Sequence, residues 1–181
     1  MAGWRRAMRW PDTGLPWRPP SPNLRGFPAA LLYPGVGLLE LTNLSVGRGT
    51  ALPFEQLGAP WMDGARVAAA LTARRLPGLT ASPTAFTPTS GPFARERCPG
   101  VALTVTDPAL VAPLRLGAAL AVSLRQLHPG DWRPGSLDTL LGHRASLAAL
   151  LAGEDDGQLL ARWQPDHDAF VARRRPHLLY A

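Results

Sequence analysis

Between two apolar stretches lies one polar run that reads Glu40-Leu41-Thr42-Asn43-Leu44-Ser45-Val46-Gly47-Arg48-Gly49-Thr50. Few folds need so much specific polarity in so short a space. A glycine on each side of Arg48 lets the backbone turn sharply or approach a ligand closely. Glutamate, threonine, asparagine, serine and arginine together supply donors, acceptors and both charge signs. That is the inventory of a site that orients a hydroxyl-rich or anionic molecule. Pro53-Phe54-Glu55 and Gly58-Ala59-Pro60-Trp61 follow almost at once.

Around this run the chain divides by its punctuation. Residues 1–28 are rich in proline and carry Trp4, Trp10 and Trp17. Proline at that density forbids a long helix, and the rings argue for an ordered arm packed on a surface. Residues 21–24, Ser-Pro-Asn-Leu, read as a turn. Residues 29–33 and 36–41 read as short strands on either side of Pro34-Gly35, and 54–57 as a weaker strand. Asp63 is placed to cap a helix over 64–76 that Pro77-Gly78 ends. Residues 85–87 and 101–106 read as strands, the second alternating and β-branched. Further helices are expected over 109–127, 136–141, 144–151 and 158–163, and a last one from Pro165 to about 174. Strands come first with helices interspersed, then helices alone. This favours an α+β class, a mixed β-sheet with packed helices and a helical C-terminal part, over a doubly wound fold. With 181 residues and no interdomain linker, residues 1–181 read as a single domain.

Charge and cysteine narrow the chemistry. The formal charge of +6 on its own suggests nucleic acid or another anionic partner. All nineteen basic residues are arginine, however, and they are scattered; the longest run is Arg173-Arg174-Arg175. That pattern reads as compositional bias and argues against a nucleic-acid role, while a positive field still favours acidic substrates. No apolar run is long enough to span a membrane, and no signal-type segment follows the N-terminal arginines. Cys98 is alone and reads as a buried thiol.

Several catalytic signatures are absent. Gly47-Arg48-Gly49-Thr50 has neither a Walker lysine nor the dinucleotide glycine spacing, and it leads to Pro53 rather than to a helix. His128, His143, His167 and His177 are widely separated. Asp166-His167-Asp168 reads as a solvated helix start rather than a metal site, so neither metal nor cofactor is expected. No serine sits in a nucleophile elbow. Carboxylate chemistry remains. Glu40, beside Asn43 and Arg48, reads equally as an acid, base or orienting group and as a brace paired with Arg48. Glu55 reads as structural. Trp61 stands at a loop end and reads as a stacking face for a ligand or as core; Trp132 and Trp163 read as core.

The same blocks resemble, in order, the C-terminal domain of the bacterial exo-β-N-acetylmuramidases of NamZ type. The resemblance rests on Trp10 and Trp17, Pro20-Ser21-Pro22-Asn23-Leu24, Tyr33-Pro34-Gly35, the whole 40–50 run, Pro53-Phe54-Glu55 and Gly58-Ala59-Pro60-Trp61. It continues through Cys98-Pro99-Gly100-Val101, Leu140-Leu141-Gly142 and Leu178-Leu179-Tyr180. One position departs: Leu41 stands where the family usually has glycine.

The resemblance implies a glycoside hydrolase that releases N-acetylmuramic acid from the non-reducing ends of peptidoglycan fragments. It further implies an N-terminal Rossmann-like domain, or a separate subunit of that kind, holding the candidate catalytic carboxylates. The domain read here would form one wall of the cleft between the two. On that basis Glu40 is the candidate catalytic or supporting residue. Thr42, Asn43, Ser45, Arg48, Thr50 and Trp61 are the candidate substrate contacts, and Gly47 and Gly49 shape the loop. N-acetylmuramic acid carries a lactyl carboxylate, which a guanidinium such as that of Arg48 can hold bidentately. The rival expectation is a non-catalytic muropeptide-binding or docking module. The expected compartment, cytoplasmic or secreted, depends on the N-terminal part.

Overall fold

The computed structural model describes residues 3–180, so the first two residues of the expected arm lie outside it. From residue 3 to residue 26 the chain holds one short 3-10 turn, Trp10–Thr13, and no longer helix. The tryptophans are stacked rather than splayed. Trp10 meets Trp17 edge-on at 5.8 Å between ring centroids, and Trp17 meets Phe27 at 6.3 Å. The Trp17 indole donates to the Leu24 carbonyl at 3.1 Å, and the expected turn is closed by Leu24 N–H to Ser21 O.

The first correction follows at once. Residues 29–33 and 36–39, expected as strands, are helical, and 40–41 are a turn: α1 spans Phe27–Val36 and runs on into a 3-10 turn, Gly37–Leu39. Pro34 and Gly35 lie inside α1. They read as a breaker because a proline-glycine pair usually turns the chain. Here the glycine serves a helix crossing. A Cβ on Gly35 would lie 2.0 Å from the Pro113 carbonyl oxygen, and one on Gly117 would lie 2.9 Å from Gly35 O. α1 therefore crosses α3, Pro113–Leu127, backbone against backbone. The apolar run 29–32 shows no helical period because most of its faces meet protein, a pattern that cannot tell a buried helix from a buried strand.

The sheet has three strands in the order β1-β3-β2: β1 Gln56–Gly58, β2 Leu79–Phe86 and β3 Cys98–Val105. Both ladders are antiparallel, so the α+β class stands but the sheet is not the mixed one expected. β2 and β3 pair over their full lengths, from Leu79↔Val105 to Phe86↔Cys98. β2 begins six residues before the expected strand 85–87 and contains Pro83. An edge strand tolerates that proline, since the missing N–H faces away from the ladder.

α2, Gly64–Ala73, begins on the sheet, where a Cβ at Gly64 would lie 2.0 Å from Gly100 O. Its cap is the expected one: the Asp63 carboxylate accepts from Arg66 N–H at 3.0 Å. α3 is the central helix. Residues 116–124 are buried without interruption, which a helix enclosed on all sides requires. α4 Leu137–Leu141, α5 Arg144–Leu151 and α6 Asp156–Arg174 complete the helical C-terminal part.

α6 corrects a second expectation. Two helical pieces divided at Pro165 are one helix with Pro165 inside it. An Asp155/Gln158 capping box starts it, and the carbonyl freed by Pro165 belongs to Ala161, which is exposed to solvent. Among the described residues no helix is long and apolar enough to cross a membrane.

Candidate functional site

The 40–50 run leaves the 3-10 turn and crosses to the edge of the sheet. Ser45 and Gly58 exchange both backbone hydrogen bonds at 2.9 Å, which anchors the run beside β1. Gly47 and Gly49 then turn the chain with φ of 79° and 77°. Arg48 stands between them. Its Nη2 donates to Glu40 Oε2 at 3.0 Å, and its Nε lies in ion-pair contact with Oε1 without making a second hydrogen bond. Its guanidinium also sits 5.2 Å from the Phe54 ring centroid, and Tyr33 packs edge-on against that ring at 4.9 Å. Phe54 is fully buried yet holds φ of 64°, a region that costs an ordinary residue about 1–3 kcal/mol. The Arg48 side chain remains 38% exposed. A pair so open to water stabilises the fold by about 0.2–1 kcal/mol. Its main effect is to fix the guanidinium, and among the described residues no hydrogen bond uses Nη1.

The neighbouring polar side chains turn inward. Thr42 Oγ1 donates to Leu39 O at 2.7 Å and accepts from the Trp132 indole at 3.2 Å. Asn43 spends both ends of its amide on one turn, donating to Asp131 O at 2.8 Å and accepting from Arg133 N–H at 2.7 Å. Ser45 is buried, with its hydroxyl 3.4 Å from Gly47 N–H as acceptor. Thr50 Oγ1 donates to Gly47 O at 2.6 Å and accepts from Gln56 Nε2 and Leu52 N–H. Thr42 and Asn43 thus tie the run to the turn after α3, and Thr50 ties it to β1. Of the candidates, the structure brings Glu40 and Arg48 directly together.

Trp61 lies on a separate contact. Its ring meets His128 at 5.3 Å, and its indole N–H is buried without a partner among the described residues. His128 Nε2 accepts the Asp63 N–H at 3.2 Å, and burial pushes the imidazole below its ordinary range. Leu41 has no positive φ and is exposed, so this backbone does not demand the glycine that the resemblance would put there. Glu55 follows the strained Phe54. Partial burial pushes its carboxyl above the ordinary range. Cys98 is fully buried, and desolvation, helped by Glu96, raises its thiol, which disfavours the thiolate. Among the described residues no three His, Cys, Asp or Glu side chains cluster as metal ligands. Asp168 in α6 accepts from Gln164 one helical turn earlier and stays exposed.

Two participants were invisible in the sequence. Nothing local marks Phe54 as the platform under Arg48, and the loop between β2 and β3 carries no motif. Thr89 in that loop donates both its N–H and its hydroxyl to Gly49 O, each at 2.9 Å. These partners stand 40 residues apart. Only the strand order brings them together.

Taken as a class, this is an α+β domain whose sheet edge presents an arginine fixed by a glutamate and an aromatic ring. Residues 31–180 match the family described as exo-β-N-acetylmuramidase NamZ, C-terminal, and the chain belongs to that family. It is 33% identical over 183 residues to the peptidoglycan β-N-acetylmuramidase NamZ of Bacillus subtilis. That match covers 99% of this chain and 44% of the relative. Two DUF1343 family proteins of Bacteroides fragilis, known from crystal structures, share the fold. One superposes with a TM-score of 0.76 at 24% identity, covering 99% of this chain and 49% of the other. The second gives 0.68 at 30% identity, covering 90% and 43%. The chain therefore spans about half the length of these relatives.

Proposed function

We propose that this domain supplies the substrate-holding wall of a peptidoglycan-sugar glycoside hydrolase that releases N-acetylmuramic acid from non-reducing ends. The observation that carries the reading is the Glu40–Arg48–Phe54 assembly inside the NamZ-type domain. Hydrolysis of a glycoside usually needs two carboxyl groups about 5–10 Å apart. In this chain Glu40 is committed to Arg48, so its part is that of a positioning residue, and the reacting carboxyl groups belong to a Rossmann-like partner domain. Arg48 keeps an exposed guanidinium with Nη1 unspent, which suits the lactyl carboxylate that distinguishes N-acetylmuramic acid from N-acetylglucosamine. The inward hydrogen bonds of Thr42, Asn43 and Ser45 make them shapers of this wall, with Arg48 as its specific contact.

Hydrolysis of a chromogenic N-acetylmuramide tests the proposal. This chain alone is expected to be inactive, and addition or fusion of the N-terminal half of a NamZ relative to restore turnover. Arg48→Ala in the two-part enzyme is expected to lower kcat/KM about a hundredfold, the scale of losing a charged hydrogen-bond partner. Turnover by the chain alone would place the reacting carboxyl groups here and defeat the proposal. Binding of muropeptides without any turnover in the two-part protein would instead favour the docking-module reading.

A further inference from the structure

The loop between β2 and β3, residues 87–97, lies against the arginine site although the sequence gives it no motif. Four observations bear on it. Thr89 places two donors on one acceptor, Gly49 O, at 2.9 Å each. A Cβ at Gly49 would lie 2.6 Å from Ser90 N and 2.7 Å from Ser90 Oγ, so the two backbones are in direct contact. The loop folds back on itself through Arg95 N–H to Pro88 O at 2.8 Å. Phe93 and Arg95 both hold positive φ, 60° and 67°, without being glycine. Such strain persists only where surrounding structure fixes it, and it gathers at ligand clamps.

We propose that this loop is the second lip of the carboxylate site, and that Thr89 is a positioning residue for Arg48. The inference rests on the reading of Arg48 given above. Glu40 and Phe54 fix the guanidinium from the side-chain end. Within the run, Thr50 closes the turn by donating its N–H and its hydroxyl to Gly47 O, but no group of the run holds the carbonyl of Gly49, a residue whose backbone is otherwise free to rotate. Thr89 supplies that restraint. Its N–H alone leaves a single hinge-like bond; its hydroxyl adds the second donor that stops the Gly49 carbonyl from swinging. The backbone of the exposed Arg95 is tied to this lip through its N–H to Pro88 O. The ligand such a pair of lips fits is a sugar acid, with one carboxylate held by arginine.

The test uses this chain with Thr89→Val, which keeps the N–H and the shape but removes the hydroxyl, and Thr89→Ser, which restores it. Two readouts are taken. The first is the Arg48 Nε–H resonance in side-chain NMR, which reports the fixed Glu40 pair without any ligand. T89V is expected to broaden or shift it and T89S to return it to the wild-type position. The second is affinity for N-acetylmuramic acid and N-acetylglucosamine. T89V is expected to weaken the first about fivefold, the scale of one neutral hydrogen bond, and leave the second unchanged. An unmoved Arg48 resonance in T89V overturns the proposal whatever the sugars do. So does an equal loss of affinity for both sugars, which would mark a merely structural role. If the wild-type chain fails to prefer N-acetylmuramic acid, the reading of the ligand falls, while the Arg48 resonance still decides the role of Thr89.

Discussion

Gly49 answers two demands at one residue. Its φ of 77° is a conformation that L side chains rarely adopt, and its missing Cβ leaves room for Ser90. The double glycine around Arg48 is visible in the sequence, and a turn there is a sound expectation. The reason for the second glycine is not visible, because the atoms it avoids belong to a loop 40 residues away. The pairing of Glu40 with Arg48 was legible as one of two alternatives, and the structure places the two side chains in contact. Gly49→Ala is expected to destabilise the domain by about 2–4 kcal/mol, the sum of a positive-φ penalty and a backbone contact that cannot yield. Gly142→Ala is the control. Gly142 has φ of 65° but nothing within 4 Å of the added Cβ, so only the conformational part, about 1 kcal/mol, should appear. Urea unfolding of both variants measures the difference. Equal losses would mean that the loop simply moves away from Gly49.

Elements were legible where their signals were local and illegible where packing overrode them. The Asp63 cap of α2 and the extent of α5 follow from short-range chemistry, whereas α3 begins at Pro113 rather than at the expected 109, because Asp107-Pro108 closes a turn, Leu110 N–H to Asp107 O, instead of opening the helix. α1 was misread because Pro34-Gly35 looks like a turn when only the chain is considered. In the folded domain Gly35 is the point at which α1 and α3 cross, and Pro34 is exposed, where its ring costs least. β2 runs through Pro83, which a strand accepts only at an edge, and that position is set by the strand order rather than by the local sequence. The crossing gives a sharp expectation. A Cβ on Gly35 meets the Pro113 carbonyl at 2.0 Å, so Gly35→Ala must push two helices apart. The cost is expected to reach about 3 kcal/mol or more, the upper range for overpacking. Circular dichroism at rising temperature should show a lowered midpoint. A midpoint matching the parent would show that α1 slides without loss. Because α1 leads directly into Glu40, the same variant should loosen the ion pair with Arg48.

At the scale of the whole molecule, the α+β class and the helical C-terminal part follow from the order of patterns along the chain. The strand order β1-β3-β2 does not, and it is this order that sets one loop over another to make the site. A second long-range junction joins the helical layer to the sheet. His128, at the end of α3, accepts the N–H of Asp63, which caps α2, and packs on Trp61 from the loop after β1. The bond requires a neutral ring with an unprotonated Nε2. Burial lowers the pKa of His128; Asp131 and Asp63 act to raise it and Arg66 to lower it, with burial the largest influence. Since the folded value lies below the unfolded one, the unfolded chain binds more protons as the pH drops through about 6.5. Stability from this junction is therefore complete above that pH, declines as the pH falls through it, and levels off below the folded value. Glu55 acts in the opposite sense at lower pH, because its raised carboxyl favours the folded state when protonated. The contribution of His128 is isolated by comparing the parent with His128→Gln in urea unfolding at pH 7.5 and pH 5.5. The parent is expected to lose more stability across that interval than the variant, which has no imidazole to charge. The variant should also begin lower at pH 7.5, because glutamine replaces neither the ring contact with Trp61 nor the fixed acceptor for Asp63. Parallel pH profiles would place the acid sensitivity elsewhere and reduce His128 to a packing residue.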